Sequence, residues 1–248
     1  WFVVEPVAVT LPRLDPAFHG YRVAQLSDLH LGDWLTRARL DEVVALVNTL
    51  QPDLIAMTGD FVTRRPADWA HDLIGALRPL RARDGVVAVL GNHDQWPNPA
   101  IIRQVLRESS IRDLSNTVET VRRGGAALHL AGVDDVYWGY ARLDAVLARL
   151  PAPGAAILLA HEPDFADTSA ATGRFDLQLS GHSHGGQVVL PFLGPPTLPE
   201  MGERYPSGRY QVGGMIQYTN RGVGMVRPHV RLNCRPEITL LTLQARPR

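Results

Sequence analysis

Val23-Ala24-Gln25-Leu26-Ser27-Asp28-Leu29-His30 reads as a short strand that runs straight into a carboxylate and an imidazole. The same design recurs downstream. Residues 53–57 form a β-prone run delivering Thr58-Gly59-Asp60, and residues 86–90 deliver Gly91-Asn92-His93-Asp94. Between these runs, Leu40, Val43, Val44 and Val47 keep the i, i+3, i+4, i+7 spacing of an amphipathic helix that Pro52 stops, and a second helix is expected over residues 69–77. Strands alternate with helices, and each strand closes on a polar block. That pattern predicts an α/β fold with its site at the carboxyl ends of the strands.

The second half repeats the theme with more hairpins. Residues 128–133 are strand-like, and Leu143, Val146, Leu147 and Leu150 mark a helix closed by Pro151. An apolar run at 156–160 leads into His161, and one at 177–179 leads into Gly181-His182-Ser183-His184. Further strands are expected at 210–212, 215–219 and 238–243. The sum is a β-sandwich with helices outside, in a single domain over residues 1–248, with an N-terminal extension at 1–20 and a Pro/Gly-rich loop at 191–209 beside the site.

The bulk numbers narrow the function. With 25 basic and 25 acidic residues the formal charge is zero, so no global field favours nucleic acid, and no nucleic-acid partner is expected. Every basic residue is Arg, scattered rather than clustered, as a high-GC coding sequence would produce. A lone cysteine, Cys234, excludes an internal disulfide and a thiolate metal site, and is expected to be a buried, inert thiol. No run reaches the roughly 18 apolar residues that span a bilayer. The apolar start at residues 1–9 reads either as the exit of a removed anchor or signal segment or as an edge strand.

The polar blocks supply Asp28, His30, Asp60, Asn92, His161, His182 and His184: three oxygen donors and four imidazoles, enough for two divalent cations side by side. Two cations about 3.5–4 Å apart need a bridging ligand, and a carboxylate has the two oxygens and the charge for it; Asp60 is the candidate. Mixed oxygen and imidazole donors suit Mn²⁺, Fe or Zn²⁺; Mn²⁺ is the expected ion, with Fe or Zn²⁺ as alternatives. Such ions bring the pKa of bound water from 15.7 towards about 7, which makes hydrolysis by metal-activated water accessible near neutral pH. His93, beside a ligand but not evidently one, is the candidate proton donor to a leaving oxygen, with Asp94 holding its tautomer. His19, His71, His129 and His229 lack such a setting and are expected to be surface or packing residues.

In these blocks the sequence resembles the calcineurin-like metallophosphoesterase superfamily, over residues 21–243. The resemblance implies a four-layer α/β/β/α sandwich with a dinuclear centre. One ion would be held by Asp28, His30, Asp60 and His184, the other by Asp60, Asn92, His161 and His182, with His93 catalytic. The protein Ser/Thr phosphatases of that superfamily carry Asp and Glu where this chain has Thr63 and Asp94. A protein phosphatase is therefore not expected. The stretches Ser27-Asp28-Leu29-His30-Leu31-Gly32, Ala160-His161-Glu162-Pro163-Asp164 and Arg235-Pro236-Glu237-Ile238 are similar to a bacterial branch of envelope-associated phosphoesterases, some of them UDP-2,3-diacylglucosamine pyrophosphatase-like. Members often follow an N-terminal membrane or export segment. The branch implies a phosphodiesterase or pyrophosphatase at the bacterial cell envelope, membrane-associated, acting on a small phosphoester that is lipid- or nucleotide-linked. A phosphomonoesterase, a non-catalytic metal-binding scaffold and a cytoplasmic location are the alternatives. Phe192, Leu193, Leu198, Met201 and Tyr205 would form an apolar wall beside the metals, Trp96, Tyr137, Trp138 and Tyr140 a rim, and Arg64, Arg65, Arg204 and Arg209 would meet a diphosphate.

Overall fold

The computed structural model describes residues 2–32 and 34–246. Strand β2 (Arg22–Leu26) pairs in parallel with β3 (Leu54–Thr58), β3 with β4 (Val86–Val89), and β4 with β5 (Ile111–Asp113). On its other side β2 meets β12 (Glu237–Ala245) antiparallel, and β12 carries β1 (Val3–Leu11) at the edge in parallel register. The apolar start of the chain is thus an edge strand over residues 3–11; Trp1 lies outside the described residues.

The second sheet has the order β10-β11-β9-β8-β7-β6. Strands β7 (Ala126–Gly132), β8 (Ala155–Leu159), β9 (Leu177–Ser180) and β11 (Met215–Thr219) run parallel at its centre, while β6 (Thr117–Arg123) and β10 (Gly208–Val212) flank them antiparallel. Central parallel strands are covered on both faces and read as nearly continuous apolar runs, which is what Leu54–Thr58 and Ala155–Leu159 are.

Alternation along those runs builds the layers. Leu54 and Ala56 enter the core between the two sheets with Ile157, Leu159, Leu177 and Leu179. Ile55 and Met57 point the other way, against α1 (Arg37–Thr49), α2 (Pro66–Leu77) and α3 (Pro99–Glu108) through Leu40, Val44, Leu73 and Ile102. Ala156 and Leu158 turn outward from the second sheet onto α4 (Leu143–Arg149) and α5 (Ala166–Ala171), through Val146 and Ala166. The result is the four-layer α/β/β/α sandwich. Burying each Leu or Ile contributes about 1.5–3 kcal/mol, so the period-2 pattern fixes which face of each strand turns inward. No helix among the described residues is long and apolar enough to cross a membrane.

Candidate metal centre

Every sequence-derived candidate ligand lies just past the carboxyl end of a parallel strand: Asp28 and His30 after β2, Asp60 after β3, Asn92 after β4, His161 after β8, and His182 and His184 after β9. Those ends meet at one edge of the sandwich. The amide of Asp28 donates to the carbonyl of Gly59 (3.0 Å), that of His30 to Asp60 (3.0 Å), and that of Gly181 to His161 (3.0 Å). The amide of His182 reaches across to both carboxylate oxygens of Asp28, at 3.1 Å each. Gly181 makes that approach possible: a Cβ there would stand 1.8 Å from Ser27 Oγ and 2.3 Å from Asp28 Oδ2. A Cβ on Gly91 would likewise fall 2.3 Å from Asp60 Oδ1.

Five of these residues hold a left-handed backbone: Asp28 (φ 51°), His30 (45°), Asp60 (58°), His182 (68°) and His184 (52°). That conformation is uncommon for any residue with a side chain, and it clusters where a site imposes it. Here it turns each chain sharply off its strand and aims consecutive polar side chains inward.

The side chains gather in two buried groups, Asp28 with His30 and His184, and Asp60 with His161 and His182, the donor atoms of each lying within 4.8 Å of one another. Asp60 reaches both groups, since its Oδ2 is 3.2 Å from His161 Nε2 and 3.4 Å from His30 Nε2. In the first group His184 Nε2 stands 3.4 Å from Asp28 Oδ1 and 3.1 Å from His30 Nε2. In the second, Asn92 Oδ1 is 3.1 Å from His182 Nδ1.

Each imidazole is held by its outer nitrogen. His161 Nδ1 donates to the carbonyl of Thr58 (2.6 Å), and His182 Nε2 donates to that of Glu200 (2.9 Å). His30 Nδ1 pairs with Thr63 Oγ1 (3.1 Å), and His184 Nδ1 lies 3.5 Å from Arg231 Nη2. A carbonyl only accepts, so the proton of His161 sits on Nδ1. Its Nε2 faces the cluster, fully enclosed and with no hydrogen-bond partner. An orphaned buried nitrogen beside two carboxylates is what a cation site requires.

The electrostatics agree. Burial pushes Asp28 up to about 6 and lowers His30 to about 3 and His182 to about 4. Burial also opposes ionisation of Asp60, yet His161, His93 and His30 hold its carboxyl well below the usual range. His161 is raised well above the ordinary imidazole range, because Asp60, Asp28 and Glu162 outweigh its burial. A field that retains a proton there also attracts a metal ion, and the donor set, two carboxylates with an amide and four imidazoles, fits divalent cations.

His93 sits at the mouth. Its amide donates to Asp60 Oδ1 (3.0 Å) and its Nδ1 to the carbonyl of Thr63 (3.0 Å), leaving Nε2 the free nitrogen. Asp94 does not hold this tautomer as expected. It is fully buried, and its oxygens accept from the amides of Asp60 (2.8 Å), Phe61 (2.9 Å) and Gly91 (2.9 Å), clamping two ligand loops together. Burial and then Asp60 push it up to about 7.

An open cleft crosses the mouth in two lobes, of about 680 and 400 Å³, which share His93, Val226 and Arg227. The larger lobe is walled by Arg64, Arg65, Trp69 and His229, the smaller by Tyr137, Gln187 and Thr197–Glu200. Of the expected apolar wall only Leu198 lines it; Phe192 and Leu193 project into solvent, and the hydroxyl of Tyr205 is tied to Asp167. Of the expected rim, Tyr137 lines the smaller lobe and Trp138 donates to the carbonyl of Asn92 (3.2 Å). Among the arginines, Arg64 and Arg65 face the cleft, whereas Arg204 pairs with Asp167 and Arg209 lies on β10. His229, expected to be a packing or surface residue, lines the larger lobe, while His129 packs between Thr120 and Pro153 as expected. Arg227 carried no sequence signal, and Thr63, read in the sequence only as a departure from the protein phosphatases, proves to hold the rings of both His30 and His93. Cys234 is buried as expected.

Comparison with known proteins places this site in a family. Residues 21–186 match the model of the calcineurin-like phosphoesterases. The chain is 37% identical over 232 residues to the uncharacterized metallophosphoesterase YkuE of Bacillus subtilis (strain 168), covering 92% of this chain and 80% of that protein. It is 32% identical to phosphodiesterase YaeI of Escherichia coli (strain K12), covering 90% and 82%. Among solved structures, the NAD nucleotidase of Haemophilus influenzae shares the fold, with a TM-score of 0.54 at 14% identity over 81% of this chain and 45% of that one. The strand ends with their candidate ligands, the two Asp/His groups and these similarities agree: the chain belongs to the calcineurin-like phosphoesterase family and is a metal-dependent phosphoester hydrolase.

Proposed function

We propose that the chain cleaves small phosphodiesters or phosphoanhydrides, and that the two-lobed cleft carries this preference. A scissile phosphorus beside His93 has room for a substituent on each side, and a monoester would leave one lobe idle. The name of the Escherichia coli relative, phosphodiesterase, supports the same choice.

In this reading Asp28, His30, Asp60 and His184 hold one divalent ion, and Asp60, Asn92, His161 and His182 the other. When bound, the two ions supply an activated water and a positive field for the phosphoryl oxygens, which two carboxylates alone do not neutralise. Thr58, Thr63 and Glu200 fix the rings of His161, His30 and His182 so that one nitrogen of each faces inward. His93, its Nδ1–H held by the carbonyl of Thr63, presents Nε2 to the leaving oxygen; in its imidazolium form it gives the Nε2 proton to the departing alkoxide or phosphate and is left as neutral imidazole. Arg64 and Arg227 offer guanidinium groups to the second phosphate or the charged substituent. Mn²⁺ is the proposed ion, taking the carboxylate and amide oxygens as its ordinary donors, with Zn²⁺ and Fe, which imidazole suits, as the alternatives. The envelope location and the lipid-linked substrate belong to the same reading.

The test is hydrolysis of bis-p-nitrophenyl phosphate by chelator-stripped protein, with Mn²⁺, Zn²⁺ or Fe²⁺ restored. Activity should return with metal, most with Mn²⁺, and exceed that on p-nitrophenyl phosphate. Faster turnover of the monoester would reverse the assignment, and silence with every ion while metal binds would remove the diesterase reading.

A further inference from the structure

Leu190-Pro191-Phe192-Leu193-Gly194 forms a tight turn closed by reciprocal backbone bonds between Leu190 and Gly194, both 2.9 Å. At its tip Phe192 is fully exposed and Leu193 is 82% exposed. Phe192 also takes a left-handed backbone, φ 66°, which a bulky residue avoids unless the surroundings impose it. A folded chain gains nothing in water by presenting its most exposed aromatic ring on a strained turn. The turn is also firmly mounted. The amide of Val189 donates to the carbonyl of Leu232 (2.9 Å), that of Leu232 to Gln187 (3.0 Å), and Asn233 Nδ2 to Val189 (3.0 Å).

The neighbouring strip adds exposed Val230 and Leu232. Residues 204–236 carry six arginines and no acidic residue, but Arg204 pairs with Asp167, Arg221 with Glu5 and Glu237, and Arg231 is held by the backbone carbonyls of Arg221 and Gly224. Arg227 and Arg235, in the strip mounted against the turn, are exposed. The turn lies between Gln187 and Thr197, both of which line the smaller lobe of the cleft.

We propose that this turn and the basic strip beside it form an anchor that seats the mouth of the cleft on an anionic lipid surface. Phe192 and Leu193 enter the acyl boundary, and Arg227 and Arg235 meet the headgroup phosphates, the pairing of apolar wedge and cationic flank that interfacial binding uses. The anchor does not rest on the hydrolytic reading, although it would bring the cleft to headgroup-borne phosphoesters.

Sedimentation of the intact chain with phosphatidylglycerol/phosphatidylcholine vesicles, and with phosphatidylcholine alone, tests it. Binding to the anionic vesicles should weaken with added salt. The double variant Phe192→Ser/Leu193→Ser should bind them at least about tenfold less tightly, with unchanged thermal midpoint and unchanged turnover of bis-p-nitrophenyl phosphate. Equal binding by parent and variant, or no binding to either vesicle, overturns the anchor. A concentration-dependent dimer that the double variant abolishes, without vesicle binding, assigns the turn to a second copy and overturns it too. Intact vesicle binding with no diester turnover in either protein leaves the anchor standing and removes the hydrolytic reading alone.

Discussion

Asp60 Oδ2 stands between His30 and His161, while Oδ1 accepts the amide of His93. One side chain therefore joins both halves of the centre to the candidate proton donor. In Asp60→Asn a neutral amide replaces the charge shared by two cations. Bound metal, counted by elemental analysis, should fall, and turnover should drop at least about 100-fold. His93 meets the candidate ligands through its amide on Asp60 and the edge of its ring against His30, and belongs to neither proposed donor set, so His93→Ala should keep both ions and lose about 10²–10⁴ in kcat. An emptied centre in His93→Ala would instead make His93 part of the metal site. Asp94 shows why a neighbour in sequence is a poor guide to a partner in space. The short helical turn after Gly91 points it away from His93, into the amides of Asp60 and Phe61.

The strand ends place their ligands by close backbone contact, and Gly181 is the tightest point. Gly181→Ala should force β2 and β9 apart at Ser27, costing about 3 kcal/mol and lowering the thermal midpoint by roughly 6–12 °C in calorimetry. A midpoint within a degree of the parent would mean that the ends are loose. At this scale the sequence was most legible where apolar runs met polar blocks. All five ligand-bearing strands, and α1, α2 and α4, follow from periodicity and proline stops. Helix α3 bears no ligand and went unexpected, although Asn98 caps it, Pro99 opens it, and Ile102, Val105 and Leu106 keep helical spacing. The half-buried strand β6 also escaped, since its alternation is weak. The loop at 191–209 was legible as a loop but not in its direction. The Asp164 carboxylate draws in the amides of Glu203, Arg204 and Tyr205, and that pull from a distant segment decides where the aromatic residues point.

Across the whole molecule the two sheets share a continuous apolar core and meet again, in polar contacts, at the ligand edge. Cations at that edge would bind the folded sandwich and not the unfolded chain. At 100 times its dissociation constant an ion contributes about 2.7 kcal/mol, so Mn²⁺ added to stripped protein should raise the thermal midpoint by roughly 5–10 °C. Chelator should reverse the rise, and a midpoint indifferent to both would argue against tight binding. The proposed donor sets also have an order in time. The first sheet contributes Asp28, His30, Asp60 and Asn92, the second His161, His182 and His184, and each proposed set draws on both. A chain emerging from the ribosome thus exposes the carboxylates first, with a single ligand imidazole, and completes neither set until His182 and His184 have followed. Metal capture in the final geometry is therefore a late event of synthesis, timed by the last strand-end block rather than by the supply of ions.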